Sequence, residues 1–120
     1  MPRKAVLKKQ VVAKPEDAKF LSFVPFESGF RFFTTVGNYT GITAISLDEF
    51  TTKLQIVPAE SVQFHFERKD FQKWIKGTIK DCELAEELNE VFQGQSAENL
   101  RKEILRIMQE RIAELRRLSL

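Results

Sequence analysis

The chain has one histidine and one tryptophan, and both lie inside Ser61 to Ile75, SVQFHFERKDFQKWI. His65 is the natural place to look for chemistry. Ser61 stands four residues before it, and residues four apart share a helix face, so a hydroxyl and an imidazole can meet. Asp70 or Glu67 would then orient the base. A working nucleophile needs more: a base held by a third group, an oxyanion site and a cleft that excludes water. The same residues also read as architecture. Val62, Phe64, His65 and Phe66 crowd the end of one element, and a charged break follows at Glu67, Arg68, Lys69 and Asp70. Asp70 can cap a new helix whose Phe71, Trp74 and Ile75 recur at i, i+3 and i+4. Ser61, His65, Arg68, Asp70, Phe71 and Trp74 are therefore assigned to a helix-to-helix corner locked by aromatic packing. No catalysis is expected.

Metal chemistry has less to work with. One histidine and one cysteine, His65 and Cys82, do not make a tetrahedral zinc site. Cys82 follows a helix cap but has no basic or histidine neighbour to hold a thiolate, so it reads as a small packed side chain. The run Glu83, Glu86, Glu87, Glu90 lacks the Glu-x-x-His of a di-iron bundle and reads as a solvated helix face. No metal and no cofactor are expected.

Charge points elsewhere. The net charge is only +2, yet the first twenty residues hold six basic groups against two acidic ones, while residues 21–95 are acidic overall. Arg3, Lys4, Lys8, Lys9 and Lys14 fall in this basic stretch. Lys69, Lys73, Lys76 and Lys80 repeat at i, i+4, i+7 and i+11, a single face if one helix carries them. A basic arm beside a lysine stripe suits a phosphate backbone, giving affinity without sequence readout. No known nucleic-acid-reading motif accompanies them.

The elements that must position these residues follow from the pattern. Residues 1–19 read as a basic arm, with Pro2, Pro15 and the lysines opposing a helix, and residues 20–120 as one globular domain. In FRFFTTV, Phe30, Phe32 and Thr34 share one strand face and Arg31, Phe33 and Thr35 the other, which predicts a strand covered on both sides. Gly37 to Gly41 is turn chemistry, with Ile42 to Ile45 returning. Ser46 and Glu49 form a capping box for a helix that Pro58 breaks. Helices are expected over Glu60–Glu67, from Asp70 to about Lys80, after Asp81 with Leu84, Leu88, Val91 and Phe92 facing inward, and from Ser96 to about Leu118. The last carries Leu100, Ile104, Ile107, Met108, Ile112, Leu115 and Leu118 in one arc. That stripe can close the core or pair with a copy of itself. The fold class is thus α+β, mainly α: a short aromatic hairpin packed against four to five helices, the C-terminal one long.

From Phe30 to Leu88 the chain resembles a family of small archaeal and bacterial proteins known only as a domain of unknown function. The resemblance rests on FRFFTTVGNYTG, Ser46-Leu47, Glu49-Phe50, Ser61, Phe64-His65, Arg68, Asp70-Phe71, Trp74-Ile75, Asp81 and Leu84-Ala85. It implies a compact, mostly helical module and supplies no activity. The basic arm and the final helix lie outside the pattern.

A single cysteine excludes an internal disulfide and suits a reducing compartment. No apolar run approaches a membrane span, and the N-terminus lacks a signal-peptide core, so a cytoplasmic protein is expected. The leading expectation is a non-enzymatic accessory protein that docks on RNA or a ribonucleoprotein, ribosome-like in kind. A protein–protein module or homodimer built on the last helix comes second. A regulatory domain that binds a small molecule is third.

Overall fold

A computed structural model describes residues 14–118. Arg3, Lys4, Lys8 and Lys9 lie outside the described residues. The chain opens with a 3₁₀ helix, Pro15–Leu21, whose Pro15 supplies the fixed φ that a first turn favours. This segment packs on the last helix, so the prolines and lysines did not prevent a helical turn there. A second short 3₁₀ turn, Phe26–Ser28, leads into the hairpin.

Strand β1 (Phe30–Thr35) pairs antiparallel with β2 (Asn38–Ala44). The tight turn is Val36-Gly37, where Gly37 takes φ 78°, so Asn38 to Gly41 belong to the strand and not to the turn. The ladder is irregular between Phe32 and Phe33 and again before Thr35. Phe30 and Phe32 are buried, but Arg31 and Phe33 on the other face are only half-buried. The expectation of a strand covered on both sides is thus corrected: helices cover one face, and the Arg31–Phe33 face stays open.

Helix α1 (Leu47–Leu54) starts where the box predicts it. Ser46 Oγ accepts the Glu49 N–H at 3.1 Å, while Glu49 Oε1 reaches back to the Ile45 N–H at 3.0 Å. Its far end is closed from a distance: Arg101 Nη1 donates to the Leu54 and Val57 carbonyls, both at 2.7 Å. Helix α2 (Ala59–Glu67) follows Pro58. Helix α3 (Asp70–Trp74) then widens into a π turn over Ile75–Ile79, where one long helix was expected. Gly77 and Thr78 are weak helix formers, and the wide turn lets the Ile75 carbonyl take both the Lys80 and Asp81 N–H groups. Helix α4 (Cys82–Asn89) is capped by Asp81, whose Oδ1 accepts the Leu84 N–H.

Two side chains here differ from expectation. Phe92 is 71% exposed, because α4 stops at Asn89 before the ring can turn inward. Cys82 is exposed, since the first residue of α4 faces outward.

Helix α5 (Ala97–Leu118) begins at Ser96, whose Oγ accepts the Asn99 N–H. Leu100, Ile104, Ile107, Met108, Ile112 and Leu115 are all buried against the rest of the chain. The apolar arc therefore closes the core, and self-pairing through it would require the core to open. The aromatic half of that core is a cluster about Phe30. Its ring lies 4.8 to 5.8 Å from those of Phe32, Phe50, His65, Phe71 and Trp74. Burying each such ring stabilises the fold by about 1.5–3 kcal/mol. The architecture is α+β and mainly helical, with a two-stranded hairpin and a long C-terminal helix. No helix among the described residues is long and apolar enough to cross a membrane.

Candidate functional site

The corner between α2 and α3 turns on Lys69, which takes a left-handed φ of 61°. A lysine gains nothing from that region and pays about 1–2 kcal/mol for it, so neighbouring groups must hold the turn. They are His65, Arg68 and Asp70. His65 sits on the last turn of α2 and is 3% exposed. Its Nδ1 lies 2.8 Å from Asp70 Oδ2, and the same carboxylate oxygen takes Arg68 Nε at 3.2 Å. Asp70 was expected to cap α3. It instead occupies the first helical position, with its side chain turned back to bind α2.

The other imidazole nitrogen is engaged as well. Phe33 N–H, at the irregular point of the ladder, donates to His65 Nε2 at 2.8 Å. An acceptor at Nε2 requires the proton on Nδ1, which donates to Asp70. Both nitrogens are thereby spent on structure. Ser61 is fully buried, its Oγ finds no hydrogen-bond partner, and it does not cap α2, whose N-cap is Pro58. No hydrogen bond joins Ser61 Oγ to His65, whose ring nitrogens meet Phe33 and Asp70. Phe71 and Trp74 complete the corner from α3, both buried.

Burial pushes the His65 pKa below its usual value, and the Arg68 charge adds to this, while Asp70 opposes it by hydrogen bond and charge. Protonation would also set an Nε2–H against the Phe33 N–H. Above about pH 6.5, both folded and unfolded chains hold a neutral imidazole. Below it, the unfolded chain takes up a proton that the folded chain refuses, so stability falls as pH falls until the folded value is reached. Thermal melts from pH 7.5 down to 5 should show this loss, and His65→Gln should flatten it. Glu83, whose carboxyl is raised by burial despite Arg111, acts with the opposite sign above about 4.5, and the comparison with the variant separates the two.

The corner forms the floor of a cleft of about 540 Å³ between the hairpin and α2–α3. Phe33 and Val36 line it from the hairpin, Phe64 and Arg68 from α2, and Lys73 from α3, with Arg31 at its edge. The Arg68 guanidinium lies over the Phe64 ring, 4.7 Å from its centroid, and Phe33 packs on Tyr39 at 5.4 Å. Arg31, Phe33 and Phe64 were read from the sequence as strand-face and packing residues and not as part of a site. The signal was present: Phe64 and Arg68 are four apart on one helix, and Arg31 alternates with phenylalanines in FRFF.

Lys69, Lys73, Lys76 and Lys80 are all exposed, but the π turn breaks the straight row that one α-helix would give. Lys73 borders this cleft, and Lys80 borders a separate groove with Phe20 and Phe23. Lys14 is exposed just before the first 3₁₀ helix, where its N–H donates to Asp17.

No curated protein and no solved structure matches the chain. Residues 27–120, from just before the hairpin through the last helix, match the model of a "Family of unknown function (DUF5752)", a span wider than the Phe30–Leu88 resemblance, and the chain belongs to that family.

Proposed function

We propose that this protein is a non-enzymatic accessory factor that docks on RNA or on a ribonucleoprotein. One observation carries the reading: Arg31, Arg68 and Lys73 surround a cleft whose Phe33 and Phe64 rings remain only half-buried. Cations beside open aromatic faces form the combination that grips a nucleic-acid strand, phosphates on the charges and bases on the rings. Lys69 and Lys76 extend the basic surface along the same segment, and Arg3, Lys4, Lys8 and Lys9 add charge before the described residues. The engaged nitrogens of His65 and the sealed hydroxyl of Ser61 favour binding over catalysis. A single cysteine suits a cytoplasmic setting.

The test is salt dependence. Fluorescence polarisation with labelled single-stranded RNA should show log K falling linearly with log salt, by about 0.7 per phosphate contact. The exposed-site change Lys69→Gln together with Lys73→Gln should flatten that slope by roughly 1.4 and leave the melting temperature unchanged. Absence of binding at low salt would defeat the reading and place a protein-docking role first.

A further inference from the structure

Resting on that reading, we propose that the cleft between the hairpin and the α2–α3 corner is a site for one unstacked nucleotide. The strand it takes is then single-stranded.

Geometry fixes how such a group would lie. The cleft, about 540 Å³, falls within the roughly 300–1,000 Å³ typical of small-ligand sites. Its walls offer two flat faces. On the α2 side the Arg68 guanidinium is held between the Phe64 ring beneath it and the Asp70 carboxylate at its edge. A guanidinium pinned in this way is a rigid plane, and its outer face stacks a base as an aromatic ring would. On the hairpin side stands Phe33, anchored by its own N–H to His65 and by its ring to Tyr39.

Charge then orients the nucleotide. Asp70 lines the cleft and is acceptor-only, so it repels a phosphate and favours a donor such as an exocyclic amine or a ribose hydroxyl. The phosphate is left to Lys73 and to Arg31, whose guanidinium rests over the Phe26 ring, 5.2 Å from its centroid. Bases inside a duplex are stacked and cannot reach a recessed plane, whereas bases of a single strand can be splayed onto it. The same chemistry would accept a free nucleoside monophosphate, and the experiment separates the two sources.

Trp74 is the sole tryptophan and lines the cleft, so its fluorescence reports on occupancy. Titration with single-stranded oligoadenylate should change Trp74 emission saturably, and a duplex of equal length should bind about ten-fold more weakly or worse. Arg68→Lys keeps the charge and removes the plane. Phe33→Leu keeps the apolar wall and removes the ring. Each should weaken single-strand binding by about five-fold or more, with the melting temperature checked alongside. RNA affinity with silent Trp74 and unaffected variants would overturn the cleft site while leaving RNA docking intact. Saturable response to adenosine monophosphate without RNA affinity would support the site and overturn the RNA reading. Silence toward both would overturn both.

Discussion

Replacing Trp74 with alanine lowers the unfolding free energy by about 3–5 kcal/mol, read as a shift in the urea midpoint at unchanged slope. The ring is 8% exposed, stacks on Phe50 at 5.7 Å with an 18° interplanar angle, and meets Phe30 edge-on. Removing it opens a cavity where the hairpin, α1 and α3 converge, and none of these can collapse without pulling the others. The indole also donates Nε1–H to the Ser28 carbonyl at 2.8 Å, which ties the start of the hairpin to the corner. Trp74→Phe keeps most of the apolar volume and loses that bond, so it should cost far less. Ser28 is an exposed residue, so its carbonyl can take a water in exchange. A Trp74→Ala variant that unfolds with the wild type would show the ring contributes nothing to the core.

The second large effect lies at Asp81. Its carboxylate is buried, caps α4, and receives Arg111 in two-point fashion: Nε to Oδ2 at 2.8 Å and Nη2 to Oδ1 at 3.0 Å. Burial works against the Arg111 charge, yet the hydrogen bonds and charges of Asp81 and Glu114 outweigh it and raise its pKa. Asp81→Ala strips the main partner from a buried cation and removes a cap, for a combined loss of about 3–5 kcal/mol. Glu83 and Glu114, both near the guanidinium, soften the loss and keep it from the top of that range. Asp81→Asn preserves the cap geometry and one acceptor. The difference between the two variants in equilibrium unfolding isolates the charge, and equal losses would refute the ion-pair account.

Much of this frame was legible because its signals are local. Ser46 and Glu49, Pro58, Asp81 and Ser96 each act on a backbone group within four residues, and the structure places a helix boundary at every one. The buried arc from Leu100 to Leu115 likewise follows from period alone. What escaped depends on partners far along the chain. Asp70 has the sequence look of a cap, but a histidine on the preceding helix and a neighbouring arginine claim its carboxylate. Arg111 reads as one more charge on a long helix until Asp81, thirty residues earlier, draws it inside. The open face of β1 was hidden for a related reason: alternating phenylalanines look doubly covered, and only the count of available helices shows that one face goes without. The cleft exists because of that shortage.

The burial of α5 has a consequence for how the protein is made. The apolar arc of this helix fills the centre of the core, and α1 depends on Arg101 to close its last carbonyls. It is the last of the described elements to be synthesised. During translation the hairpin and the earlier helices thus emerge with the surface meant for Leu100, Ile104, Ile107 and Met108 still facing water. Native packing waits for α5 to leave the ribosome, so the nascent chain passes through an interval of exposed aromatic and aliphatic surface. Residues in that surface serve the folded state and, before it, set how far the growing polypeptide relies on chaperones.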